Sequence, residues 1–432
     1  MSDQRFTSRH PWMWVPSLYL AEGLPYVVVM TVSVIMYKGF GLSNTDIALY
    51  TSWLYLPWVI KPLWSPVVDL LGTRRLWIWV MQLLIGAALA GAALAVPGPH
   101  FFRWTLVFFW LLAFDSATHD IAADGFYMLA TSEREQAFFV GIRSMFYRIA
   151  TIAGQGLLVM LAGTIESRTG NLRLAWSAAL GGLAVLFVAF GLWHRFVLPR
   201  PASDRPGEAR RIPHFVREFL GTFGSFFRKP RIGVLLAFLL LYRFGEAQLV
   251  KLVSPFLLDA RSKGGLGLTT TEVGFVYGTV GIIALTLGGI LGGWAASRHG
   301  LKAWLWPMVL AIHLPDAMFI YLAYSQPASL AVVQLCVAVE QFGYGFGFAA
   351  YLLYMIHIAR GEHQTAHYAI CTGFMALGMM IPGMWSGWLQ DLVGYPRFFV
   401  WVILATVPSF LVVLGIPLER EFGRKAETAA EA

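Results

Sequence analysis

The chain has 432 residues, 57% hydrophobic and only 13% charged, with a formal net charge of +8. A soluble domain carries about 25% charged residues; half that supply cannot cover a water-facing surface, which excludes a soluble multidomain enzyme and leaves lipid as the missing solvent. The basic excess would suit nucleic acid in a soluble protein, but here Lys and Arg sit in short loops between apolar runs, the pattern of cytoplasmic loops in a membrane protein.

A spanning helix needs about 20 mostly apolar residues, and twelve such runs follow one another along the chain. The polar stretch Met1–His10, with Arg5 and Arg9, precedes a run too long for a signal-peptide core, which reads as a first, retained helix. The runs lie near 13–37, 45–67, 76–96, 104–128, 137–162 and 173–196, then 232–258, 272–296, 303–325, 328–358, 366–389 and 396–417. Only 328–358 is clearly overlong; it holds Glu340, Gln341 and a Gly-rich stretch, so tilt or a bend is expected there. The 43 Gly and 17 Trp fit helices packed closely in a bilayer with aromatic anchors at its faces. Cys336 and Cys371 fall inside apolar runs and read as packed free thiols, with no metal-ligand spacing around them.

The polar break 197–231, rich in Pro and Arg, divides the chain six plus six and contains an amphipathic piece around Phe215–Phe227 suited to the membrane surface. The fold class is therefore all-α integral membrane, in two pseudo-symmetric six-helix halves. These are 1–196 and 232–418, joined by the basic central loop 197–231 and followed by a tail, 419–432. With the N-terminus in the cytoplasm, the inner side receives 19 Lys/Arg and the outer loops 7, which puts both termini inside.

Internal repetition fits that division. Ser65-Pro-Val-Val-Asp69-Leu-Leu-Gly72-Thr-Arg74-Arg75 follows the second run, and Gly293-Trp-Ala-Ala-Ser297-Arg298-His-Gly300-Leu-Lys302 follows the eighth, as expected of two parallel repeats. These loops resemble the cytoplasmic signature of the major facilitator superfamily, a Gly, an Asp, a Gly and paired basic residues. Asp69, Gly72, Arg74 and Arg75 match in the first half; Gly293, Arg298, Gly300 and Lys302 match in the second, with Ser65 and Ser297 as departures. Gly permits the tight turn, the basic pair holds the loop in the cytoplasm, and the carboxylate can accept hydrogen bonds at a helix N-terminus. LYLAEGLPY (18–26), LPWVIKPLWSPVVD (56–69) and ATHDIAADGFY (117–127) resemble the AmpG-like permeases, a group that includes acetyl-CoA transporters and is distantly related to siderophore permeases. The resemblance implies proton-driven import of a bulky solute, typically an anhydro-muropeptide, with Glu22 and His119 standing where an uncharged polar residue is expected.

Ionisable side chains inside a span cost roughly 2.5–3.5 kcal/mol on insertion scales and line the bundle interior or a water-filled path. The candidates for substrate or proton coupling are Glu22, Lys61, Asp115, His119, Asp120, Asp124, Arg143, Lys251 and Glu340. Asp115 and His119 are four apart and share a helix face; Asp120 and Asp124 share another, turned by about 140°. Arg143 and Arg148 of the fifth run could pair with these acids structurally. Glu22 precedes Gly23 and Pro25, where a lost hydrogen bond permits bending. Lys61 could hold a substrate anion, or neutralise Glu22 or a helix-four acid. Arg243 and Glu246 are spaced to pair with each other, whereas Lys251 has no local partner and is the better anion-binding candidate. Trp53, Trp58, Trp64, Tyr242 and Tyr344 could stack on sugar rings, although lipid anchoring and packing are commoner uses.

The leading reading is a secondary transporter in which two halves rock around a midplane site, moving a small polar or anionic solute with protons. It calls for no cofactor, no metal and no nucleic acid, in a monomer. No phosphate-binding loop appears. Siderophore uptake is the alternative substrate class. Asp120-x-x-x-Asp124-Gly125 faintly resembles the carboxylates of membrane phospho-alcohol transferases, but the further acids and the Ala-Arg those enzymes need are missing.

Overall fold

The computed structural model of the protein describes residues 10–205, 212–361, 363–419 and 422. Every regular element among them is helical. In chain order these are α1 (Val15–Val27), α2 (Ser33–Gly39), α3 (Asn44–Trp53), α4 (Leu56–Leu70), α5 (Arg74–Ala95), α6 (Phe101–Ala130), α7 (Glu133–Thr151), α8 (Val159–Thr169) and α9 (Leu172–Val197). The central segment contributes α10 (Ile212–Phe227). Then come α11 (Ile232–Leu241), α12 (Phe244–Leu258), α13 (Thr270–Phe275), α14 (Ile282–His299), α15 (Leu301–His313), α16 (Ala317–Ser325), α17 (Leu330–Ala359), α18 (Gln364–Leu404) and α19 (Val407–Gly415).

Ten helical segments among the described residues are long and apolar enough to cross a membrane. The difference from the twelve expected runs has two local causes. The run at 45–67 is interrupted at Leu54 and Tyr55, leaving α3 with 10 residues and α4 with 15, each short of the ~20 a span needs. The runs at 366–389 and 396–417 are two helices that meet without a loop at a kink at Gly394, with φ of 77°, so that α18 extends across both. Pro396 lies two residues on and has no N–H to continue the ladder. The overlong run near 328–358 is one uninterrupted helix of 30 residues, no longer than α6. Its Gly-rich stretch serves close packing.

Three helices change register through π-helical turns. Val28–Val32 joins α1 to α2, Ile152–Leu158 joins α7 to α8, and Val276–Gly281 joins α13 to α14. The first follows Pro25, where the missing N–H loosens the α-helical pattern.

The helices gather into two compact units. The first comprises residues 1–42, 53–218 and 269–278; the second comprises 43–52, 219–268 and 279–432. In the first, α5 packs along α6 and α9, and α1 along α7. Its core includes Trp14, Leu18, Tyr19, Ile78 and Phe126. In the second, α14 and α15 pack on α17, and α12 on α18, around Phe238, Tyr242, Met308, Tyr351 and Tyr354. Large apolar residues are also turned outward, including Leu94 (80% exposed) and Leu414 (71%), as lipid-facing helices require. Both cysteines are buried free thiols. The amphipathic piece expected in the central loop is α10, with Phe226 in the core of the second unit and Leu220 exposed.

The α14–α17 contact shows why glycine is abundant. A Cβ at Gly288 would lie 2.1 Å from the Phe342 carbonyl oxygen, and one at Gly345 would lie 2.0 Å from that of Leu285. Small residues let two backbones touch where no hydrophobic force holds helices together. Gly293, on the same α14, has nothing within 4 Å of such a Cβ. Gly345→Val should therefore lose about 1–3 kcal/mol of stability through overpacking, read as a lower thermal midpoint in detergent, while Gly293→Val should leave the midpoint unchanged.

Candidate functional site

The first unit gathers five of the expected site residues. Glu22 on α1 is 8% exposed, and its Oε2 has no hydrogen-bond partner among the described residues. It lies within electrostatic reach of Asp124, Asp120, Arg143 and Lys61. Each of those charges is paired. Lys61 of α4 donates to Asp120 of α6 at 3.4 Å, and the Trp58 indole N–H donates to the same carboxylate oxygen at 3.2 Å. Arg143 of α7 donates to Asp124, which also accepts from the Tyr19 hydroxyl at 3.3 Å. The Arg143 guanidinium lies over the rings of Tyr19 and Tyr127, 4.3 and 4.7 Å from their centroids. Lys61 thus neutralises an acid of the fourth apolar run (α6), one of its alternatives, and is not the partner of Glu22.

This geometry follows from helical spacing. Asp120 and Asp124 are four apart on α6, so neighbouring helices α4 and α7 can each present a cation to one turn of it. With all five groups ionised, three carboxylates face two cations. One proton brings the cluster to neutrality.

His119 takes a different course from its turn-mate Asp115. It is fully buried, and its Nε2 lies 2.9 Å from Nε2 of Gln82 on α5. Oε1 of Gln82 lies 2.8 Å from Nδ1 of His194 on α9, whose Nε2 is 2.9 Å from the Ser17 hydroxyl. Asp115 is half-buried and makes no hydrogen bond or ion pair among the described residues. The shared face therefore does not make Asp115 and His119 a pair. Arg148 likewise takes no carboxylate among the described residues, so only one of the two α7 arginines serves the acids.

In the second unit, Arg243 and Glu246 do pair, in a bidentate bridge of 2.7 and 2.9 Å. Arg243 also donates to the Tyr344 hydroxyl at 2.6 Å. Lys251 is 3% exposed and donates to Thr51 of α3 at 3.0 Å; its partner stands 200 residues away in sequence, which corrects the expectation that it lacks one. Glu340 is buried on α17 and accepts from its neighbour Gln341 at 3.0 Å. Sequence reasoning missed Asp316, which is 1% exposed with both carboxylate oxygens unpartnered among the described residues and Glu340 and Glu246 within electrostatic reach. It also missed Tyr19, Gln82 and His194. A polar residue inside an apolar run was the available signal for each.

The two motif loops keep their turns. Gly72 has φ of 136° and Gly300 has φ of 84°, conformations that L side chains rarely adopt. The Asp69 side chain lies outside the described residues. The carboxylate at the N-terminus of α5 is that of Asp204, from the central segment, accepting from the backbone N–H of Arg74 at 2.8 Å and of Arg75 at 3.0 Å. Arg74 reaches the Gly125 carbonyl at 3.4 Å. Arg75 donates to the carbonyls of Leu198 and Arg195. Arg298 lies over Trp294, its guanidinium carbon 5.5 Å from the ring centroid, and Lys302 is exposed on α15. Of the basic residues counted for orientation, Arg5, Arg9, Arg210, Arg211, Arg420, Arg424 and Lys425 lie outside the described residues, as does most of the 419–432 tail.

Of these pairs, Arg243–Glu246 is the most enclosed, with side chains 9% and 0% exposed. Arg243→Met should lower unfolding stability by about 3–5 kcal/mol, because it strands Glu246 as a buried charge. The double variant Arg243→Met/Glu246→Met should recover most of that loss. A double-mutant cycle on detergent unfolding checks both.

Comparison with known proteins places this architecture. A model of the Major Facilitator Superfamily matches residues 17–381. The anhydromuropeptide permease of Escherichia coli (strain K12) is 24% identical over 421 residues, covering 94% of this chain and 80% of that protein. A Rickettsia conorii protein bearing the name AmpG 4 is also 24% identical, over 92% of this chain and 94% of its own. Among solved structures, the nucleoside transporter NupG superposes with a TM-score of 0.68 at 14% identity, over 93% of this chain and 98% of that one. A bacterial homologue of the human lysosomal transporter Spinster does so with 0.67 at 16%, over 93% and 95%. The chain is thus an integral membrane transporter rather than an enzyme, and it belongs to the Major Facilitator Superfamily as an AmpG-like permease.

Proposed function

We propose that the protein imports a bulky anionic cell-wall fragment, an anhydro-muropeptide or related amino-sugar, across the inner membrane together with protons. The substrate class is supported by similarity along 94% of the chain to the E. coli permease of that name. Proton coupling rests on one observation, the unpartnered Glu22 carboxylate beside two ion pairs. Gaining or losing a proton changes the penalty for burying such a group, which is the property a coupling site requires. Lys61–Asp120 and Arg143–Asp124 hold the surrounding charge fixed, so that the proton count at Glu22 sets the net charge of the cluster.

Asp115, half-buried and without a partner on α6, is the second proton candidate. Lys251, which donates to the Thr51 hydroxyl, is the candidate cation for a substrate carboxylate in the second unit, whereas Arg243 is committed to Glu246. The halves 1–196 and 232–418 are the moving bodies of this mechanism, with both termini in the cytoplasm.

The test is uptake into proteoliposomes under an inward proton gradient, with labelled anhydro-muropeptide and, separately, a ferric siderophore. The muropeptide should accumulate. Glu22→Gln should reduce gradient-driven accumulation at least tenfold, an energetic penalty of roughly 1.4 kcal/mol, while substrate exchange without a gradient persists. Asp115→Asn, run alongside, separates the two carboxylates. Accumulation of the siderophore alone would overturn the substrate; full gradient-driven uptake by Glu22→Gln would overturn the coupling site.

A further inference from the structure

Where α5 begins and α9 ends, the first unit has a surface cavity of about 460 Å³ lined by Thr73, Arg75, Leu76, Trp79, Arg195, Phe196 and Arg200. Its size lies within the range of ligand pockets, roughly 300–1,000 Å³. Three of its seven lining residues are arginines and none is acidic. The nearby carboxylate of Asp204 is already engaged, accepting from the backbone N–H groups of Arg74 and Arg75. Arg75 is anchored by its donations to the α9 carbonyls of Arg195 and Leu198. Arg195 is laid against Trp79, its guanidinium carbon 5.2 Å from the ring centroid. That cation–π contact holds the Arg195 guanidinium beside the cavity. Arg200 has no hydrogen bond or ion pair among the described residues.

Apart from Thr73, whose hydroxyl caps α5, the rest of the lining is apolar, and two of its residues are turned outward. Phe196 is 67% exposed and Leu76 is 42% exposed. In a helix that crosses a bilayer, such residues meet acyl chains. The cavity therefore presents guanidinium groups at the helix ends and a hydrocarbon-facing flank beside them. An inorganic anion has no use for that flank.

We propose that this cavity is a binding site for the phosphate headgroup of an anionic phospholipid. The arginines hold the phosphodiester oxygens, while Leu76, Trp79 and Phe196 lie along the first methylenes of the acyl chains. Basic pockets between membrane helices recognise such headgroups through the same combination of charge and apolar contact. The site lies at the end of two helices packed along each other, so an occupied cavity ties α5 to α9 and to the segment that carries Arg200.

The experiment is native mass spectrometry of the full-length protein in detergent, titrated with phosphatidylglycerol, with phosphatidylcholine and with inorganic phosphate. Phosphatidylglycerol should bind saturably in preference to phosphatidylcholine. Arg195→Gln/Arg200→Gln should weaken that binding roughly thirtyfold, from the loss of two near-surface charges. Both arginines are exposed, so the variant should fold, and its circular dichroism and thermal midpoint verify that. Arg103→Gln/Arg168→Gln, which removes two exposed charges elsewhere in the unit, is the matched control and should bind as the parent does. Unchanged binding by the Arg195/Arg200 variant, or equal weakening by the control, would overturn the proposal. Displacement of the lipid by millimolar inorganic phosphate would overturn the lipid assignment in favour of a free anion.

Discussion

A charge inside a bilayer has no water to solvate it, so it must bring its counter-charge on a neighbouring helix or shed its charge altogether. The first unit is organised by this constraint. Helix α6 carries Asp120 and Asp124 on one face, and α4 and α7 each supply the cation that makes one of those acids tolerable. Aromatic side chains complete both pairs, through the Trp58 N–H on one side and the Tyr19 hydroxyl on the other. Glu22 stands beside this compensated set without a partner of its own among the described residues, and a transporter's proton chemistry is sought at that kind of exception. The second unit repeats the principle with different parts, pairing Arg243 with Glu246 on one helical turn and leaving Asp316 a carboxylate without a partner among the described residues.

The sequence was most legible where the bilayer itself imposes the rule. Most apolar runs of span length and the turns of the paired Gly-basic loops reflect constraints that act locally, and they correspond to features of the fold. Spacing on α6 correctly separated the face of Asp120 and Asp124 from that of Asp115 and His119. It could not assign partners, because a partner is chosen by tertiary packing. Asp120 pairs with a lysine 59 positions away, and Lys251 meets a threonine 200 positions away. Spacing also treated Asp115 and His119 as companions, whereas the imidazole turns to Gln82 and the carboxylate does not.

Helix boundaries were less legible for a related reason. An apolar run records that a segment lies in lipid and says little about whether its backbone is continuous. The interruption at Leu54 and Tyr55 falls just before Pro57, in the first turn of α4, and was not read from the apolar run, whereas the division between the last two runs coincides with the non-helical backbone of Gly394. The motif loops show the same division between local and tertiary information. Gly72 and Gly300 are dictated by their own backbone angles and could be read directly. Among the described residues, an acid at the N-terminus of α5 is Asp204, well over a hundred residues downstream, and nothing in the motif points to it.

Gln82 sits between two buried imidazoles, with its amide nitrogen towards His119 and its oxygen towards His194. An amide has one donating end and one accepting end, so it dictates complementary roles to its neighbours. In the orientation described, Nε2 of His119 accepts and Nδ1 of His194 donates. If a proton arrives on the accepting nitrogen of His119, the bond is restored only by turning the amide over, and that reverses what His194 must do. The two rings are therefore not independent variables. The state of one is written into the other through a single side-chain rotation, giving the first unit a binary register that three helices share.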